Sequence, residues 1–133
     1  MQAVERIPTK EFLATAEPLI AEGKTFVVVF TGGLIEESGK SWCGPCEEVS
    51  PLVKGVLIPR VQKNGVPVFY VNVGMVPEWR DKENPLRVHP VYQVTGIPTA
   101  LVIKNGKVSV RLIGSGDITE GDLLESFISA ATP

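Results

Sequence analysis

The sequence predicts an α/β sandwich whose sheet has parallel central strands and an antiparallel hairpin at one edge. Two segments rich in β-branched and aromatic residues, 25–31 and 66–73, are separated by helical patterns, which is typical of parallel strands buried on both faces. Two later strands, Thr99–Lys104 and Lys107–Ile113, flank Asn105-Gly106, a dipeptide that favours a two-residue hairpin turn. Runs of this kind that alternate with helices are the pattern of a layered α/β domain.

The chain is expected to begin with a helix ahead of the first buried strand. Apolar residues recur at helical spacing over Thr9–Ala21, where Thr9 is placed to cap the helix and Gly23 to end it. Pro18 lies inside this helix and is expected to kink or split it. A short strand is also expected around residues 3–6.

A polar loop over residues 32–41 follows the first buried strand and leads into a second helix. This helix is predicted to start near Pro45 and to run past Leu57. Pro51 lies within it and predicts a bend.

The last third of the chain is expected to contain short helical pieces, the hairpin and a closing helix. Residues 77–90 are polar with short helical stretches, and another helical piece is expected to begin at Pro90. The closing helix is predicted over residues 119–131, beginning with the acids Glu120 and Asp122. Its inward-facing residues are expected to be Leu123, Leu124, Phe127 and Ile128.

Size and composition indicate a single globular domain over residues 1–133. Apolar residues make up 44% of the 133 and charged residues 21%, which excludes disordered and fibrous classes. The net charge is −2 and the basic residues are scattered, so we expect no nucleic-acid partner. The longest apolar run, residues 26–30, is too short to cross a membrane. The first residues lack an apolar leader, so the expected location is the cytosol.

Both cysteines of the chain, Cys43 and Cys46, lie in one four-residue window that follows a predicted strand and opens a helix. A disulfide across so short a loop restricts the unfolded chain little, so reactivity explains the pair better than stability does. At the helix start, unpaired N–H groups and the helix dipole favour a thiolate on Cys43, whereas Cys46 lies one turn further in and more buried. Half of a zinc site is the alternative, but His89 is the one other imidazole or thiol ligand, so no metal is expected.

The segment before the cysteines nearly matches a phosphate-binding loop. That motif needs four residues between its glycines, whereas five separate Gly33 from Gly39, and Leu34 stands where glycine is required. The next predicted strand runs into Gly74 and not into a magnesium-binding Asp. We therefore interpret the segment as the rim of an active site, without a nucleotide.

Four motifs in order along the chain resemble thioredoxin: Trp-Cys-Gly-Pro-Cys at 42–46, Pro51, Gly-Ile-Pro-Thr at 96–99 and Lys-Asn-Gly-Lys at 104–107. The resemblance implies the thioredoxin fold, a central mixed β-sheet flanked by helices on both faces. It implies that Pro98 is a cis proline packed against an active-site disulfide, and that the backbone of Ile97 hydrogen-bonds a substrate. A cis bond of this kind requires a proline.

The resemblance is closest to the Clot-type cytosolic thioredoxin-related proteins, over about residues 5–130. Those proteins share a Phe-Thr-Gly segment, here starting at Phe30, a long loop that ends in Gly-Lys-Ser-Trp-Cys, and a Trp-x-Asp segment, here Trp79 to Asp81. The resemblance implies a disulfide reductase without a bound cofactor, kept reduced by thioredoxin reductase and acting on protein or small-molecule disulfides. We expect it to act as a monomer.

Two departures from these families bear on the chemistry. The Clot proteins usually have Pro-Asp between their cysteines, whereas Gly44-Pro45 here matches thioredoxin and favours a general thioredoxin as the alternative function. Thioredoxin also keeps a buried Asp beneath its disulfide, and Val29 occupies the matching position, so no carboxylate is evident to take the proton from Cys46. The acids expected near the thiols outnumber Lys40 and oppose thiolate formation; they are Glu36, Glu37, Glu47 and Glu48.

The sequence therefore predicts a dithiol–disulfide oxidoreductase in which Cys43 attacks the substrate and Cys46 resolves the mixed disulfide. A redox-switched binding module that does not turn over remains the alternative from another class. Trp79 either lines the groove or caps the core, and His89 is expected to be a surface or helix-start residue without a partner. The expected docking residues are Trp42, Gly44, Pro45, Gly96, Ile97 and Pro98.

Overall fold

A computed structural model describes residues 5–133 and shows one five-stranded sheet with helices on both faces. The strands are β1 (Arg6–Pro8), β2 (Phe26–Thr31), β3 (Val68–Asn72), β4 (Thr99–Lys104) and β5 (Lys107–Ile113). The helices are α1 (Thr9–Ala21), α2 (Gly44–Leu52), α3 (Ile58–Lys63), α4 (Val76–Arg80), α5 (Pro85–Val88), α6 (Gly114–Thr119) and α7 (Gly121–Ala130). A π-helical segment, Val53–Leu57, joins α2 to α3.

The strand order is β1-β3-β2-β4-β5, and it confirms the predicted mixed sheet. The first three strands in that order run parallel, whereas β4 and β5 are antiparallel to their neighbours and end the sheet in a hairpin. Asn105 and Gly106 have φ values of 53° and 73°, so both hairpin residues adopt the left-handed conformation that a type I′ turn needs. This is the thioredoxin fold that the sequence motifs implied.

Strand β2 divides the interior into two cores because its six residues are all buried and alternate between the faces of the sheet. Val27 and Val29 face the core that includes Val49 of α2, together with residues of α3 and α7. Phe26 and Phe30 face the opposite core, which is formed with α1, α4 and α5. The cysteine-bearing helix thus rests on one face of the most buried strand.

The helix that carries the cysteines continues from α2 to α3 despite two internal prolines. Pro51 lies inside α2, and Pro59 lies in the first turn of α3. In regular α geometry a proline ring clashes with the carbonyl four residues earlier. The wider π-helical turn between the two prolines shifts the backbone away from that geometry. The expected irregularity is therefore a π-helical segment that begins two residues after Pro51.

Helix α1 differs from its prediction at its start and at Pro18. Thr9 is its first residue and not its cap, because Pro8 holds the extended cap conformation and the Thr9 hydroxyl donates to the carbonyl of Asn72 (3.1 Å). The helix continues unbroken through Pro18. It ends as predicted, with Gly23 at φ 68° directly after the capping residue.

Other boundaries also depart from the predictions. Residues 90–92 form a turn and not a helix, and the closing helix is preceded by the separate α6. Helix α7 begins after Glu120, whose carboxylate accepts from the N–H groups of Asp122 and Leu123. Leu123 faces outward, 41% exposed, whereas the other three residues expected to face inward are buried. Of the strand expected at residues 3–6, residues 3 and 4 lie outside the described part, and β1 begins at Arg6.

In the described residues, no helix is both long enough and apolar enough to cross a membrane.

Candidate active site

The two cysteine sulfurs are joined as a disulfide at the start of α2. Cys43 is the N-cap residue, and its Sγ accepts a hydrogen bond from the backbone N–H of Cys46 (3.3 Å). Both cysteines are buried, and Cys46, 1% exposed, is less accessible than Cys43, 6% exposed. An N-cap sulfur that already accepts an N–H bond is placed where the helix dipole stabilises negative charge.

The backbone at Gly32 packs against one side of the disulfide. Its N–H points at Cys46 Sγ (3.5 Å), and its carbonyl accepts from the Ser41 hydroxyl (2.9 Å), whose oxygen accepts from the N–H of Cys43 (3.1 Å). A Cβ at Gly32 would lie 2.9 Å from the Cβ of Cys43, so only glycine fits without displacement. Sequence reasoning missed both roles, although Gly32 and Ser41 bound the predicted loop.

Trp42 is half-buried and fixed by two hydrogen bonds. Its indole N–H donates to the carbonyl of Gly74 (2.8 Å), and its backbone N–H donates to the carbonyl of Gly33 (3.1 Å). The N–H of Gly33 donates to the same Gly74 carbonyl (2.9 Å). The residue before the first cysteine is therefore held against the segment that follows β3.

The Gly-Ile-Pro segment lies on the other side of the disulfide. The Ile97–Pro98 bond is cis, and the carbonyl oxygen of Ile97 is 3.9 Å from Cys43 Sγ. Gly96 and Ile97 are partly exposed, whereas Pro98 is buried. The Thr99 hydroxyl donates to the carbonyl of Gly96 (2.6 Å) and fixes the turn before β4.

The structure brings the residues predicted for substrate docking to one end of the sheet, around the disulfide. Gly44 and Pro45 open α2 and are exposed there. The loop over residues 34–40 is exposed and closes at its base through a bridge between Leu34 and Ser41. Leu34 and Ile35 are 40% and 36% exposed, so this rim is partly apolar as well as acidic.

Val29 lies beneath α2 and is 1% exposed, in one core with Val49 and Val53. Two residues along the same face of β2 lies Thr31, 2% exposed, whose hydroxyl has no hydrogen-bond partner within residues 5–133. It immediately precedes Gly32, the neighbour of Cys46 Sγ. The strand alternation in the sequence could have placed this polar group on the side of α2.

Trp79 caps a core and does not line the disulfide groove. It is 6% exposed, the Arg87 guanidinium lies 3.9 Å from its ring centre, and Arg87 Nε donates to its carbonyl (2.8 Å). Its neighbours Arg80 and Asp81 are exposed.

His89 is partly exposed and makes local contacts. Its Nδ1 accepts from the N–H of Val91 (3.1 Å), and its ring lies 4.3 Å from that of Tyr92. This contradicts the expectation that it has no partner. Partial burial lowers the pKa of His89, and the charge of Glu17 opposes the shift. Within residues 5–133, no three His, Cys, Asp or Glu side chains are grouped to hold a metal ion.

Comparisons with known proteins agree with this geometry. The family model described as "Thioredoxin domain-containing protein 17-like, thioredoxin domain" matches residues 7–130. The chain is 28% identical over 113 residues to the thioredoxin-like protein Clot of Oryza sativa subsp. japonica, which covers 84% of this chain and 81% of that protein. It is 37% identical over 79 residues to thioredoxin domain-containing protein 17 of Homo sapiens, which covers 59% of this chain and 60% of that relative.

Solved structures show the same fold. Thioredoxin NaTrxh from Nicotiana alata superposes with a TM-score of 0.62 at 20% identity, over 100% of this chain and 97% of that one. The thioredoxin of Fasciola hepatica gives a TM-score of 0.56 at 29% identity, over 90% and 94% of the two chains. Together with the Cys43–Cys46 disulfide, these matches support thiol–disulfide oxidoreduction as its general chemistry. The chain belongs to the thioredoxin domain-containing protein 17-like family of the thioredoxin superfamily.

Proposed function

We propose that this protein reduces disulfides of proteins and small molecules in the cytosol and is itself reduced by a thioredoxin reductase. The observation that carries the proposal is the placement of Cys43 at the helix N-cap, with Cys46 directly behind it. Cysteine usage supports the cytosolic setting, since both cysteines lie in the reactive motif and none serves as a structural staple.

In the proposed reaction, the dithiol gives two electrons to the substrate disulfide. The Cys43 thiolate attacks one substrate sulfur, the substrate S–S bond breaks, and the other sulfur leaves as a thiolate that takes up a proton. The Cys46 thiol then loses its proton and attacks Cys43 Sγ, which forms the Cys43–Cys46 disulfide and releases the second substrate thiol. The reductase returns two electrons and two protons.

Docking would use the surface around the disulfide, with no bound cofactor. Trp42 and the partly exposed residues Gly96 and Ile97 would flank the substrate at Cys43 from two sides. Gly44 and Pro45, exposed at the first turn of α2, would also face the substrate. Buried Pro98 would hold the Ile97 backbone toward the substrate. We propose that this domain acts as a monomer.

The rim loop supports a preference for small disulfides. Residues 34–40 are exposed, form a loop closed by Leu34 and Ser41 directly before Trp42, and carry Glu36 and Glu37. This loop would narrow the approach to the cysteines and add negative charge near them. A folded protein must bring its own surface past this rim, whereas a small disulfide need not. A general thioredoxin is the second candidate, favoured by Gly44-Pro45 between the cysteines.

Turnover assays with thioredoxin reductase test the proposal. We expect the protein to turn over cystine and insulin, with insulin slower, and a variant whose loop is shortened to thioredoxin length to gain insulin activity. Fast insulin reduction that the shortening leaves unchanged would favour a general thioredoxin. No turnover of either substrate, together with a cleanly reducible disulfide, would identify a redox-switched binding module and overturn the proposal.

A further inference from the structure

A cleft of about 500 Å³ lies at the carboxyl ends of β1 and β3, the same edge of the sheet at which β2 leads toward the disulfide. One wall is formed by Asn72, Val73 and Gly74. Gly74 is also the residue whose carbonyl accepts the indole hydrogen bond of Trp42 (2.8 Å). Gly74 therefore connects the cleft to Trp42, the residue that precedes Cys43, so a substrate chain that extends past Trp42 would approach the cleft.

The cleft is preformed and mostly apolar inside. Pro8, Leu13 and Pro85 contribute apolar surface. The opposite wall is fixed by Asn84, which is 6% exposed and donates to the carbonyl of Glu78 (2.8 Å) while accepting from the N–H of Leu86 (2.9 Å). A preformed apolar cleft of this size suits a long side chain with its adjoining backbone.

Most of the charged side chains that line the cleft are acidic, and the exposed Arg80 and Lys82 of the same segment do not line it. Three carboxylates border it, from Glu78, Asp81 and Glu83, against the single ammonium of Lys10. All four side chains are exposed at the rim, and none of them forms an ion pair within residues 5–133. The side chains that line the cleft thus place three negative charges and one positive charge at the rim of an apolar floor. Such a lining complements a lysine or arginine whose hydrocarbon stem is buried and whose charged end stays at the rim.

We propose that this cleft binds a basic segment of the substrate, on one side of its disulfide, and that Glu78 and Glu83 determine this specificity. The inference rests on the proposed disulfide reductase function and adds the class of substrate. Asp81 has a structural task as well, because its Oδ1 accepts from the N–H of Glu83 (2.9 Å). Glu78 and Glu83 are therefore the acids to vary.

The test uses symmetrical disulfides of a short peptide with a central cysteine and one variable position. The variable position carries lysine, norleucine or glutamate and is moved stepwise along both sides of the cysteine. The rate constant for oxidation of the reduced protein by each peptide is divided by the rate constant for oxidation of dithiothreitol by the same peptide. This ratio removes the effect of lysine on the intrinsic reactivity of the peptide disulfide. No reductase is needed.

Two variants with the same change in net charge are compared. Glu78→Gln/Glu83→Gln removes two carboxylates from the cleft, and Glu22→Gln/Asp122→Asn removes two exposed carboxylates that do not line it. In the unmodified protein we expect lysine to be favoured over norleucine by at least about threefold at positions on one side only, and glutamate to be disfavoured. The preference should fall with rising salt, disappear in the cleft variant and persist in the control.

Equal rates for lysine and norleucine at every position would overturn the inference, as would a preference that survives in the cleft variant. Faster oxidation by norleucine peptides would show that the cleft takes an apolar segment, which also overturns it. Either result leaves the proposed function intact, because the peptides are still reduced. Failure of every peptide to oxidise the protein would contradict the function as well.

Discussion

Gly32 lies so close to Cys43 that a Cβ on the glycine would be 2.9 Å from the Cβ of the cysteine, and its N–H points at Cys46 Sγ (3.5 Å). The backbone that leaves β2 therefore touches both sulfur-bearing residues. The carbonyl of Gly32 also accepts a hydrogen bond from the Ser41 hydroxyl, so the two ends of the loop before the cysteines are joined. This contact fixes the disulfide against the carboxyl end of the most buried strand.

Replacing Gly32 with alanine should displace Cys43 and lower stability. The added methyl group has no room, and overpacking of this kind typically costs about 1–3 kcal/mol. Denaturant unfolding of the oxidised protein measures the cost, and the rate of disulfide reduction by dithiothreitol reports the local displacement. Gly55→Ala is the control, since nothing lies within 4 Å of its added Cβ. Equal, small effects of the two changes would show that the close contact is not a constraint.

Replacing Val29 with aspartate should lower stability and speed the resolving step near neutral pH. Val29 is 1% exposed, so a carboxyl group there loses its hydration, which costs about 2 kcal/mol or more. Burial also raises the pKa of such a carboxyl and lets it accept a proton near neutrality. Denaturant midpoints and single-turnover reduction across pH measure the two effects. Val27→Asp, on the same face of β2, controls for destabilisation alone. Loss of stability without a gain in rate would indicate that another base already serves Cys46.

Removing the hydroxyl of Thr31 should stabilise the protein. Thr31 is 2% exposed and its oxygen has no partner within residues 5–133, so Thr31→Val replaces an unsatisfied polar group with a methyl group of similar shape. An unsatisfied buried polar group costs about 1–3 kcal/mol, and we expect a gain toward the lower end of that range. Thr31→Ser, which keeps the hydroxyl, should show no gain. A loss of stability in Thr31→Val would mean that the hydroxyl is bonded in solution.

The sole histidine should make stability fall as the pH is lowered from about 7.5 to about 5.5. Burial lowers the pKa of His89 below its ordinary value of 6.5, so the unfolded chain binds the proton more readily than the folded one. Stability is therefore complete above the unfolded pKa and declines as the pH falls through both values. Urea midpoints across this range measure the slope. His89→Asn keeps an acceptor for the N–H of Val91 and should flatten the slope. An unchanged slope in this variant would assign it to other groups.

The features that the sequence predicted well are set by local patterns. The β2 strand follows from an unbroken apolar run, and the hairpin turn follows from Asn105-Gly106, whose residues favour positive φ. The fold was recognised because the cysteine motif and the Gly-Ile-Pro segment are short, ordered signals. The structure then showed the cis bond before Pro98 that the resemblance implied, with the carbonyl oxygen of Ile97 3.9 Å from Cys43 Sγ.

The features that the sequence did not predict depend on tertiary contacts or on weak local signals. Helix α6 begins with Gly-Ser-Gly, which has poor helix propensity. The start of this helix is stabilised by the Asp117 carboxylate, which accepts a hydrogen bond from the N–H of Ile113. The face of α7 that packs on the core carries Leu124, Phe127 and Ile128, and it leaves Leu123 outside. Trp79 is buried in a core, and the Arg87 guanidinium that covers its ring lies eight residues further along the chain. The acidic cleft was invisible in the sequence because its wall and its charges come from segments far apart in the chain.

The central claim, that Cys43 is the attacking thiol and Cys46 the resolving thiol, is tested most directly by the alkylation of each cysteine in the reduced protein. Rates with iodoacetamide, resolved by mass spectrometry of the separated products across pH, give the reactivity of each thiol. The N-cap position and the greater exposure of Cys43 predict that it is labelled at least about tenfold faster than Cys46 at neutral pH. Equal rates at the two cysteines, or faster labelling of Cys46, would contradict the assigned roles.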